Sequence, residues 1–177
     1  MKFFRARPAQ DTGSARFRPD ADLFSVRREE GVYATEVRSS PEGAVDLFHE
    51  LTGQMPGVVD LALECLRTGR RYVGESLQRH EVTETVARLK VPLVASGGVE
   101  LSVYTGDEQL CLSPMLDLWI YAKSDRWLYL LIGRGLEETS ELPPRTWGVA
   151  PGEFTGAPEL VDAVTQTAER LTLKLVS

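Results

Sequence analysis

Only His49 and His80 carry imidazoles, the one side chain whose ordinary pKa lies near neutrality. His49 lies in Asp46-Leu47-Phe48-His49-Glu50, and on a helix Glu42, Asp46, His49 and Glu50 would form a stripe opposite the apolar one. An imidazole beside carboxylates suits a proton shuttle or half a metal site. A solvated helix face explains the same stripe with fewer assumptions. His80 precedes Glu84 at i, i+4, a spacing that can hold a metal, but no third ligand stands nearby in sequence. Both histidines are therefore expected to be dispensable, and neither a metal site nor a cofactor is expected.

Phosphate chemistry fares no better. The run LLIGRGLEE brings Gly133 and Gly135 to G-x-G spacing, but the dinucleotide fingerprint needs a third glycine where Glu138 stands. Ser96-Gly97-Gly98 could form a backbone nest for an anion, though a glycine pair before a strand is more simply a turn. G-x-x-x-x-G-K-[ST], G-x-S-x-G and H-E-x-x-H do not occur. Cys65 and Cys111 lie far apart, at neither redox nor metal spacing, and read as free thiols of a reducing compartment.

The residues that could grip a partner are aromatic. LDLWIYAKSDRWLYLLIGRG, 116–135, holds two of the three tryptophans and two of the five tyrosines. Read as a hairpin with a three-residue turn at 124–126, it sorts into two faces. Leu118, Ile120, Ala122, Leu128, Leu130 and Ile132 form an aliphatic side. Asp117, Trp119, Tyr121, Lys123, Trp127, Tyr129 and Leu131 form the other. Trp119, Tyr121, Lys123, Trp127 and Tyr129 are the expected partner- or ligand-binding residues, because Trp and Tyr dominate interface hot spots. The opposing expectation is a second core layer, in which the C-terminal helix or the Trp147 segment covers the rings.

The elements that would position these residues are legible in turn. LFSVRR and GVYATEV flank Glu29-Glu30-Gly31 as a hairpin. Ser40-Pro41-Glu42 opens a helix over about 41–52, with Ala44, Leu47, Phe48 and Leu51 inward and Gly53 as its stop. VVDLALECL alternates, so Val59, Leu61, Leu63 and Cys65 share a face, and 67–70 turn into RYVGE. Ser76 is the expected cap of a second helix carrying Val82, Val86 and Leu89, ended by Pro92. From Gly98 a four-strand meander is expected, VELSVYT, QLCLS, LDLWIYAK and WLYLLIG. A last helix runs from Pro158 to about 172 with Leu160, Val164, Ala168 and Leu171 inward, although LTLKLVS also alternates like a strand. The predicted class is α+β: a largely antiparallel sheet of about six to eight strands with a C-terminal β-meander, two helices on one face and a C-terminal helix packed near the meander. The predicted domains are a loose arm over 1–21 and a single domain over 22–177.

Composition bounds the function. With 42% hydrophobic and 26% charged residues the chain is ordinary globular material. Residues 1–32 hold seven Lys/Arg against five Asp/Glu, and 33–177 hold thirteen against twenty-one, so a body at -8 follows an arm at +2. An acidic body argues against nucleic acid and anionic lipid as partners and suits a basic protein. No apolar h-region or membrane-length run is present, and a cytoplasmic location is expected. The leading expectation is a non-catalytic interaction protein (adaptor, immunity-type inhibitor or chaperone) using the aromatic face, with self-association open to it. The alternative is a small-molecule binder or enzyme with a pocket beside that face.

Overall fold

The computed structural model describes residues 7–8, 22–144, 147–148, 154 and 156–176. Arg7–Pro8 (β1) pairs with Trp147–Gly148 (β10) in a two-stranded ribbon. The expected loose arm otherwise lies outside the described residues, as does the Trp147 side chain.

The main sheet has nine strands in the order β11-β5-β4-β6-β7-β8-β3-β2-β9. These are Lys174–Leu175 (β11), Arg70–Gln78 (β5), Val58–Cys65 (β4), Val99–Tyr104 (β6), Glu108–Leu112 (β7), Leu118–Ala122 (β8), Val32–Arg38 (β3), Leu23–Glu29 (β2) and Glu137–Glu138 (β9). All pairings are antiparallel except β2 with β9. The α+β class therefore stands, with a larger sheet than the six to eight strands expected.

Strand alternation divides this sheet into two unlike faces. One cross-strand row runs Leu63, Leu101, Leu112, Leu118, Val37, Phe24, and the next runs Leu61, Val103, Leu110, Ile120, Thr35. All of these are buried. The helices gather against them. Pro41–Gly53 (α1) packs on β7 and β8, and Arg79–Ala87 (α2) packs on β4 and β5. Lys90–Ser96 (α3) lies against α1, and Pro158–Arg170 (α5) lies against α2 and α3. Arg126–Gly133 (α4) is tied to α1 by the Arg134–Glu50 ion pair and by Arg126 Nη1 donating to Gln54 O at 3.2 Å.

Local chemistry explains the best-read element. Ser40 Oγ accepts from Gly43 N at 3.0 Å, Pro41 stands where no amide partner is needed, and Ala44, Leu47, Phe48 and Leu51 are buried. Each large side chain buried on this stripe contributes about 1.5–3 kcal/mol.

Several expectations are corrected. WLYLLIG is a helix, not the fourth strand of the meander, so the 124–126 hairpin turn and its register do not exist. β8 instead pairs with β7 on one side and β3 on the other. The run is short and apolar on every side, so it satisfies helical and strand periodicity alike, and burial of Trp127 and Leu131 one turn apart decides for helix. Ser76 has φ 55 inside β5 and caps nothing. Pro92 lies in the first turn of α3, where orphan amides make proline tolerable, so one expected helix becomes two. α5 ends at Arg170 and packs on helices, not on the aromatic residues, while β11 takes up the strand character of LTLKLVS.

Candidate functional site on the open sheet face

The second face of the sheet carries two rows that no described helix covers. One reads Ala62, Ser102, Cys111, Trp119, Glu36, Ser25, and the other Asp60, Tyr104, Gln109, Tyr121, Ala34, Arg27. Trp119 and Tyr121 stand at the middle. Their rings are parallel within 9° and their centroids are 6.4 Å apart. Tyr121 remains 37% exposed and Trp119 is half-buried.

A groove opens beside them, lined by Ser25, Arg27, Glu29, Ala34, Glu36, Trp119 and Tyr121, with a volume near 210 Å³. Its shape follows from the register. Ala34 of β3 sits between Tyr121 of β8 and Arg27 of β2, so a methyl forms the floor and long side chains on the flanking strands form the walls. Those strands are two spacings apart, about 9–10 Å. Glu36 stands beside Trp119 with only 19% of its side chain exposed, and its Oε1 accepts from Arg38 Nη2 at 3.0 Å. Arg38 Nη1 donates to Pro143 O at 3.1 Å.

Electrostatics at the middle of this face are set by burial and by carboxylates. Burial raises the Tyr121 hydroxyl pKa, and Cys111 and Glu36 raise it further. Burial also raises the Cys111 thiol; a hydrogen bond with Ser102 opposes this and Glu100 adds to it.

The five expected binding residues do not come together. Trp119 and Tyr121 share the open face. Trp127 is 1% exposed in the core, Tyr129 is 70% exposed on α4, and Lys123 is spent on the turn before β7, its Nζ donating to Asp107 Oδ1 at 2.6 Å. Sequence reasoning misses Ser25, Arg27, Glu29, Ala34 and Glu36. They reach the groove through the β3–β8 pairing, which no local signal announces.

Of the remaining candidates, Glu84 and the two glycine turns carry structural duties. Glu84, one helical turn from His80, bonds Arg170 at 2.7 Å and faces Arg88 at 3.6 Å. His49 is half-buried on α1, and among the described residues no three His, Cys, Asp or Glu side chains converge. The amide of Gly97 donates to Leu93 O and that of Gly98 to Pro114 O, while Arg67 clamps the carbonyls of Ser96 and Gly97. The glycine pair is thus a helix stop with no amide left for an anion. Gly135, at φ 86, ends α4 in the same manner. Among the described residues no helix is long and apolar enough to cross a membrane. No family model, no curated protein and no solved structure matches this chain.

Proposed function

We propose that this protein is a non-catalytic interaction module that docks a protein partner on the open face of its sheet. The observation that carries the reading is the parallel Trp119–Tyr121 pair, displayed on a sheet face with no described helix over it. Aromatic side chains with an apolar body and a polar handle are the usual anchors of such surfaces. The size of the groove favours a macromolecule over the alternative of a small-molecule pocket. About 210 Å³ falls below the roughly 300–1,000 Å³ of sites that enclose a small ligand.

Photo-cross-linking in cells of the source organism tests the reading. Benzoylphenylalanine replacing Tyr121 should give a discrete protein adduct that disappears when Trp119→Ala is added. The same probe replacing Val91, 76% exposed on α3 in the helical layer, should not give that adduct. No adduct at 121, or the same adducts from both positions, would refute the proposal.

A further inference from the structure

The open face is chemically biased. From β2 to β4 it carries the carboxylates of Glu29, Glu36, Asp60, Glu64 and Glu100 against the guanidinium groups of Arg27 and Arg38. Glu64 stands opposite Glu100 on one side and opposite Arg71 of β5 on the other, so Glu64 has a cation beside it and Glu100 is left on the partner's side. Arg38 is already engaged by Glu36 and Pro143. Through Oε1 alone Glu36 meets Arg38, and among the described residues nothing donates to its Oε2.

We infer that the groove between β2 and β8 receives an arginine side chain from an extended, basic polypeptide segment lying across the open face. This rests on the docking surface proposed above and names the partner's chemistry. A guanidinium in the groove would lie against Trp119 and Tyr121 by cation–π attraction and donate to Glu36 Oε2. An extended segment places side chains on one side every second residue, about 6.5–7 Å apart, so a further cation would reach Glu100 beyond β7. Burial is the main cause of the raised pKa values of Tyr121 and Cys111, and Glu36 and Glu100 add to it. Arg27 is the one groove residue that opposes the ligand, and it gives the inference a test with a sign.

The probe is a short synthetic peptide alternating arginine and threonine, titrated into the full chain at roughly physiological ionic strength and followed by calorimetry and tryptophan fluorescence. Saturable binding is expected, weaker for the lysine analogue and absent for the glutamate analogue. Glu36→Gln and Tyr121→Ala should each weaken it about tenfold or more, and Arg27→Ala should strengthen it a few-fold. Glu169→Gln, the same charge change on an exposed site of α5, should leave it unchanged. Circular dichroism confirms that each variant is folded. Affinity indifferent to Glu36→Gln and Tyr121→Ala, which would mean attraction by overall charge, overturns the inference. So does preferential binding of the glutamate peptide or of a single-stranded oligonucleotide. If the arginine peptide fails while the position-121 adduct persists, the docking surface stands and only the partner chemistry falls.

Discussion

Trp127 and Tyr129 stand two positions apart and meet opposite fates, one 1% exposed and the other 70%. A strand would place both on one face, because there i and i+2 point together; on a helix they point about 200° apart. Trp127→Ala should therefore cost about 3–5 kcal/mol in urea denaturation, and Tyr129→Ala under about 1 kcal/mol. Similar costs for both would mean that 126–133 is not a helix. Cys111 offers a second test at this scale. Its thiol pKa is raised in the folded chain by burial and by Glu100, so above about pH 8.5 the unfolded chain releases that proton first and holds fewer protons than the native one. Stability must then fall as pH rises through this window. Cys111→Ala should flatten the pH 8–10 part of the stability profile, where an unchanged slope would show that the thiol is not the group responsible. Tyr121, raised in the same direction, acts higher, from about pH 10.

Elements with a local signature are readable in the sequence, and those defined by distant partners are not. The cap, proline and apolar stripe of α1 are written in consecutive residues, as is the alternation of β4, β6 and β7. The nature of α4 is not, since every position from 127 to 132 is apolar or aromatic and both periods fit. What fixes α4 in place is long-range. Arg126 Nε and Nη2 donate to the two oxygens of Glu108 on β7 at 2.7 and 2.5 Å, and its guanidinium lies 4.2 Å from the Trp127 ring centroid. Glu108 is only 11% exposed, so it depends on this partner. Arg126→Ala should cost about 1.5–3 kcal/mol, the range for hydrogen bonds to charged groups. Arg126→Lys keeps the charge without the planar fork and should recover less than half of the loss. Full recovery by lysine would reduce the interaction to simple charge pairing.

For the whole molecule, the described helices gather on one side of the sheet, and the proposed docking surface is on the other. The β2 rim of that sheet is poorly suited to receive a partner strand. Past the two residues that pair with β9, β2 continues as Ser25-Val26-Arg27-Arg28-Glu29, and such charges hinder strand addition. The proposed docking groove lies on the face instead and is half legible in sequence. Trp119 and Tyr121 are identified by residue type and alternation, whereas Glu36 and Arg27 arrive from a hairpin remote in the chain. The two sides of β8 give a test that needs no partner. Ile120 is buried between Thr35 and Leu110, so Ile120→Ala removes core methylenes and should cost about 2–5 kcal/mol. Trp119 and Tyr121 alternate with it toward the open face, so the double change Trp119→Ala, Tyr121→Ala should cost less than that single aliphatic one, although it deletes far more atoms. Urea denaturation of the two variants compares them directly. A double variant less stable than Ile120→Ala would mean that the rings are enclosed in the folded chain, and the proposed docking surface would have to be given up.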